Sequence, residues 1–256
     1  MKKTILTCFL LASFASFSQK NALKLSVDPV KLIVANNIGI TYERKFTDRF
    51  SANVKFNFSS KAVAPLSNTL SDFAKPYLDS STATTDIFGN KFTTSGLTVE
   101  LRYYTGAKAL KGFYLAPYFG IQNGTFANFD FQFPDDTNPL VTHGGNVDMS
   151  FNFVGGGLGL GSQWTIADKL VVDILWVGLG VGNTTSSVTG EELPGEDVDF
   201  AKVDAKVRDF INDQDGILRT YLDKAESSYD AVSYTLTSKN LVPYTKFLNF
   251  SIGYAF

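Results

Sequence analysis

Phe247-Leu-Asn-Phe-Ser-Ile-Gly-Tyr-Ala-Phe256 decides how the rest of this chain is read. Leu248, Phe250, Ile252, Tyr254 and Phe256 share one face of an extended segment, and Asn249, Ser251, Gly253 and Ala255 share the other. Successive side chains of a strand point to opposite faces, so this is a strand with one greasy side and one small or polar side.

Upstream, the same alternation returns. Ile38, Ile40 and Tyr42 oppose Gly39, Thr41, Glu43 and Lys45. After a turn at 47–49, Phe50, Ala52, Val54, Phe56 and Phe58 oppose Ser51, Asn53, Lys55, Asn57 and Ser59. Leu97–Tyr104 and Phe113–Gln122 follow the rule, joined by a short connection at 106–111. Two glycine-rich strands, roughly 149–165 and 170–183, flank Ala167-Asp-Lys169. Their parity slips near Phe153-Val154 and Trp176-Val177, which predicts bulges. Their glycines predict either tight packing of a small barrel or a recess in its wall. The first strand, 22–33, is the weakest, because Pro29 breaks its ladder.

Composition narrows the class. Beyond the N-terminus no apolar run is long enough for a spanning helix, which leaves a closed barrel as the way to cross a bilayer. The 23 Phe, 11 Tyr and 21 Gly fit a sheet with an aromatic lipid face. Met1-Lys-Lys-Thr4, an apolar stretch 5–17 and small residues at Ser16 and Ser18 read as a signal peptide, 1–18, leaving 19–256 as the barrel. Cys8 is the sole cysteine and leaves with that leader, so disulfide and thiol chemistry are not expected. The acidic balance argues against a nucleic-acid partner.

Loop lengths set the topology. The gaps 47–49, 106–111 and 166–169 are short, whereas 61–95, 127–148 and 184–240 are long; the flanks of the second long gap, 129–133 and 149–153, still alternate, so that hairpin is expected to project above the membrane. Short periplasmic turns and long outer loops are the pattern of outer-membrane barrels. A soluble sandwich or lipocalin-type barrel would turn its apolar face inward and need a polar exterior. The expected fold is therefore all-β: an eight-stranded antiparallel up-and-down transmembrane barrel with long outer loops. One loop, with an insertion at about 191–228, carries an amphipathic helix whose apolar face is Phe200, Val203, Val207, Phe210, Ile217 and Tyr221. Gly216 is expected to kink it, and a cap over the barrel mouth is the expected place for its apolar face.

The stretches Asn37-Ile-Gly-Ile-Thr-Tyr-Glu43, Leu97-Thr-Val-Glu-Leu-Arg-Tyr-Tyr104, Gly112-Phe-Tyr-Leu-Ala-Pro-Tyr118 and the terminal strand resemble the small outer-membrane β-barrels of the OmpA/OmpX type. They resemble in particular uncharacterised barrel proteins common in Bacteroidota. The final strand resembles the C-terminal insertion signal of that class, which implies Leu248, Phe250, Ile252, Tyr254 and Phe256 as its residues. The resemblance implies location in the outer membrane, with lipid and the barrel-assembly machinery as partners.

Chemistry is sparse. His143 is the only histidine and falls in an expected loop, so neither catalysis nor metal binding is expected, and no cofactor. Asp213-Gln-Asp-Gly216 lacks the first and twelfth acids of a calcium loop, with Ile211 and Leu222 in their places. Glu43, Lys45, Lys55, Glu100 and Arg102 lie on faces assigned inward on neighbouring strands, and buried charges need partners. Glu43–Lys55 and Glu100 with Lys55 or Arg102 are the expected pairs. Two functions follow: a plugged structural or surface-interaction barrel with partner-facing outer loops, or a narrow channel or carrier for small hydrophobic molecules. Neither is an enzyme.

Overall fold

A computed structural model describes residues 21–28, 37–62, 92–106, 109–134, 142–192, 198–213 and 224–256. The expected leader, 1–18, lies outside the described residues. Nine strands are present among them: β1 (Asn21–Val27), β2 (Ile38–Lys45), β3 (Phe50–Ala62), β4 (Phe92–Tyr104), β5 (Gly112–Pro134), β6 (Thr142–Ile166), β7 (Leu170–Glu192), β8 (Glu226–Tyr229) and β9 (Ser233–Ala255). One helix, α1 (Phe200–Asp213), lies between β7 and β8.

Every neighbour pair is antiparallel, in the order β1-β2-β3-β4-β5-β6-β7-β9-β8, and β1 also pairs with β9. That last pairing, Ala22↔Ala255 to Val27↔Phe250, closes eight strands into a ring. Asn21 and Phe256 exchange backbone hydrogen bonds of 2.6 and 2.8 Å at the seam. The eight-stranded barrel expected from the alternation is present, and β8 is an added ninth strand on the outer part of β9. A ring leaves no unpaired central edge, which is why short β1 and β2 are tolerated beside longer neighbours.

The greasy faces point out. Leu23, Leu25, Phe56, Val99, Phe119, Leu158 and Leu179 are exposed, as are Leu248, Phe250, Ile252, Tyr254 and Phe256. The alternating residues fill the interior, where Thr41, Ser51, Asn53 and Ser251 are buried. At the end carrying the short turns, Phe46, Phe50, Phe113, Trp164 and Tyr254 form an aromatic girdle, with Phe50 and Tyr103 ring centroids 5.1 Å apart.

Strand lengths depart from the expected ones. β5, β6, β7 and β9 have 23, 25, 23 and 23 residues, against 7 and 8 for β1 and β2. The hairpin expected to project from the alternating flanks 129–133 and 149–153 is present, and stretches assigned to a loop within 184–240 are strand as well. Polar residues alternate there as they do below, but hydropathy alone cannot tell a strand with two polar faces from a loop. His143 therefore lies in β6, opposite Phe133, and not in a loop. The expected first-strand kink at Pro29 and most of the 61–95 loop lie outside the described residues.

The two expected bulges part company. Leu160 pairs with Val177 but Gly161 pairs with Leu175, so Trp176 is the extra residue. Leu248, with φ 49°, is its counterpart across the β7–β9 ladder. No shift occurs at Phe153-Val154: the register runs unbroken from Met149 to Leu160. Phe151 and Phe153 turn inward there, which the apolar-outward rule did not foresee.

Candidate functional site

The interior is built in layers, and the lowest is charged. Lys24 of β1, Glu43 of β2, Glu100 and Arg102 of β4, Gln163 of β6 and Asp173 of β7 converge near the end with short turns, all buried. The Lys24 ammonium donates to Glu43 Oε2 and Asp173 Oδ2, each at 2.6 Å, and to Gln163 Oε1 at 3.2 Å. Three protons thus meet three acceptors. Arg102 reaches Glu100 Oε2 through Nη2 at 2.8 Å and Asp173 Oδ2 through Nη1 at 2.6 Å. Its Nη1 also lies 3.3 Å from Glu43 Oε2, and its guanidinium carbon sits 4.3 Å from the centre of the Tyr114 ring.

Neutral donors complete the carboxylates. Tyr104 and the Ser51 hydroxyl donate to Glu43 Oε1, Tyr114 donates to Asp173 Oδ1, and Asn53 Nδ2 donates to Glu100 Oε2. Lys246 approaches Glu100 Oε1 at 3.6 Å while lying 3.9 Å above the Tyr118 ring. Charge-assisted bonds of this kind are short and directional, and buried charges tolerate nothing less. Beneath the cluster, Ala109 packs with Tyr104 and Tyr114, and its neighbour Leu110 is buried with a left-handed φ of 68°. Among the buried atoms of the described residues, Asn53 Oδ1, Tyr118 Oη and Gln163 Nε2 have no protein partner.

The structure redraws the expected pairs. Glu43, Glu100 and Arg102 join one cluster, but Lys45 turns to Asp48 at 2.7 Å in the exposed β2–β3 turn. Lys55 donates to Asn249 Oδ1 at 2.7 Å, so Glu43 pairs with Lys24 and Arg102 instead of Lys55. Lys24, Asp173, Gln163, Tyr104, Tyr114 and Lys246 were missed. Barrel closure brings β1 beside β9 and across from β7, whereas charge matching along the chain compares adjacent strands.

Above the floor is a polar chamber lined by Asn53, Lys55, Asn57, Thr98, Lys246 and Asn249. Its water-sized space of about 30 Å³ holds roughly two waters. Aromatic rings close in beyond it: Phe153 lies 4.7 Å from Tyr244, and Phe92 lies 4.4 Å from Phe126. The glycines face these rings. A Cβ on Gly155 or Gly182 would meet Phe153 at 2.6 or 2.5 Å, and one on Gly157 or Gly180 would meet the Tyr118 hydroxyl at 2.7 or 2.9 Å. The recess that the glycines open is therefore filled from within.

The helix carries Phe200 and Ile211 buried and Val203 and Val207 half-buried. Ile211 was not on the expected stripe; Phe210 falls within the helix span, and Ile217, Tyr221 and Gly216 lie outside the described residues. Asp204 accepts from Tyr234 at 3.2 Å, and Arg208 donates to Ser227. Tyr234 shares its strand face with Leu236, Ser238, Tyr244 and Lys246, the residues that turn to the lumen, so α1 rests on the axis-facing side of the β8–β9 hairpin. The contact is with that hairpin, a narrower footing than the cap over the whole mouth that was expected.

No protein-family model matches the chain, and no curated protein does. Among solved structures, the chain is similar to the crystal structure of a major outer membrane protein from Thermus thermophilus. The TM-score is 0.41 and the identity 12%, over 94% of this chain and 100% of the other.

Proposed function

We propose that this chain is an integral outer-membrane barrel with a sealed lumen, whose role is structural or one of surface interaction. The observation that carries the reading is the buried cluster of Lys24, Glu43, Glu100, Arg102 and Asp173. It ties β1, β2, β4 and β7 together across the lumen, and with Lys246 beside Glu100 its three carboxylates meet three cations. An eight-stranded interior has room for side chains or one small ligand, and here side chains take that room. Ions would have to break several charge-assisted bonds at once to pass.

Membrane embedding is supported by the exterior. Outward apolar rows run from Phe113 to Ile121 on β5 and from Leu170 to Val181 on β7. A tilted strand needs about 9–11 residues to span. Above those rows the outward positions switch to Asn123, Asn152 and Asn183, with Asn123 and Asn152 paired directly. The partners of this reading are outer-membrane lipid around the belt, the barrel-assembly machinery during insertion, and a surface partner for the projecting wall and helix. The filled glycine recess weighs against a carrier of hydrophobic molecules.

Two measurements test it. The refolded chain should migrate faster unheated than boiled in a denaturing gel, as closed barrels do. In planar bilayers it should give no conductance steps; regular steps from the refolded chain would sink the sealed-lumen reading and favour a narrow channel.

A further inference from the structure

We propose that the outward face of the projecting wall is a contact surface for the saccharide part of glycolipids anchored in the same leaflet. This rests on the membrane reading above. β6, β7 and β9 continue past the apolar belt without a break in register, from Val154 through Asn146 on β6 and from Val181 through Glu191 on β7. Side-chain parity is kept, so the row that presents Leu179 and Val181 outward goes on to present Asn183, Thr185 and Ser187. Successive outward positions are ~7 Å apart along a strand. A lipid whose chains lie against Leu179 and Val181 therefore has its headgroup level with Asn183 and whatever it carries above that beside Thr185 and Ser187.

The chemistry of the face selects the occupant. Thr235 and Thr237 of β9 stand beside Thr189 and Ser187, and their hydroxyls lie 3.4 and 3.5 Å apart across the ladder. Bonds that long are weak, and the residues are half-exposed, so donors and lone pairs are left for an outside partner. Protein-binding patches concentrate aromatic residues and arginine, and none stands on these positions of β7 or β9. Ionic headgroups would call for rows of opposite charge, whereas Lys239, beside Thr185, is the one cation in this stretch of the two rows. Leu241, exposed beside Asn183, carries the apolar belt one position higher on β9, and Glu191 ends the β7 row; between them the neutral amides and hydroxyls, regularly spaced and set just above acyl chains, match a layer of sugar hydroxyls.

The test uses single cysteines in the chain carrying Cys8→Ser. Thr185→Cys and Thr237→Cys report the outward face, and Ser186→Cys reports the axis-facing side of the same strand. Each is refolded into phosphatidylcholine vesicles with or without lipopolysaccharide, and maleimide labelling is timed. Labelling at 185 and 237 should slow about tenfold with lipopolysaccharide, the factor that a modest contact energy confers, while 186 stays nearly constant. Equal rates in the two vesicles would overturn the proposal, as would equal slowing at all three sites. Slowing by lipid-free polysaccharide added to plain vesicles would assign the face to a soluble glycan and overturn the lipid-anchored source. Heat-modifiable migration in each preparation separates the failures: its loss removes the membrane reading too, whereas its retention with equal rates removes only this proposal.

Discussion

At the residue scale, Lys24 is the side chain on which the lumen depends most. Replacing it with Met leaves Glu43 and Asp173 each short of a bond in a buried site. We expect a loss of roughly 3–5 kcal/mol in urea unfolding of the refolded barrel. Lys55→Met acts at a side chain that is only half-buried and should cost less, about 1 kcal/mol. The reverse ranking would mean that the cluster is wet. A second contrast sits on β7. Gly180→Ala places a methyl against Gly156 backbone and the Tyr118 hydroxyl and should cost about 1–3 kcal/mol. At Gly190 the nearest atom is Val147 Cγ2 at 3.9 Å, so Gly190→Ala should be tolerated. The sequence identified Glu43, Glu100 and Arg102 as inward-facing, because parity is local information. It could not identify Lys24 with Asp173, which are 149 positions apart and meet only once the ring has closed.

At the element scale, depth along a strand should govern the effect of charge on the outward face. Leu160→Arg lies within the apolar rows and should cost about 2–4 kcal/mol in refolding equilibria. Asn183→Arg, beyond their end, should cost about 0–1 kcal/mol. Similar costs at both positions would break the assignment of the belt. The outermost hairpin has its own pH dependence. Backbone N–H groups of Val232 and Ser233 and the Ser233 hydroxyl hold the Asp230 carboxyl below the usual range. The Ser227 hydroxyl and the Arg208 guanidinium do the same for Asp204. A depressed carboxyl stabilises above its unfolded pKa and loses that contribution as pH falls through the folded one. The β8–β9 turn and its helix should therefore loosen below about pH 4 while the barrel stays closed, visible as loss of amide protection confined to 226–237. Strand identity was legible wherever one face was apolar. It failed above the belt, where both faces of β6 and β7 are polar or mixed and the period carries no hydropathy contrast. Phe151 and Phe153 misled for the opposite reason: they are greasy residues that fill a lumen hollowed by Gly124, Gly155 and Gly182.

At the scale of the whole molecule, the ring and the helix should be separable. Replacing 198–213 by a short flexible linker removes contacts to Tyr234 and Ser227 but no ladder bond of the ring. The shortened chain should keep heat-modifiable migration and gain protease sensitivity in the β8–β9 hairpin; loss of the barrel would show that α1 belongs to its folding core. Among the described residues, β9, on which this helix leans, runs ~55 Å along the strand past the level at which it pairs with Val27. Such a body has a back and a front, like a chair, and its compass bearing in the plane of the bilayer becomes a physical variable. Neighbours arriving from behind meet a rampart, whereas on the other quarter the described strands β1 and β2 stop low. Two molecules with identical belts can thus be crowded back to back or front to front with different consequences, and rotation about the membrane normal, immaterial for a plain tube, decides which.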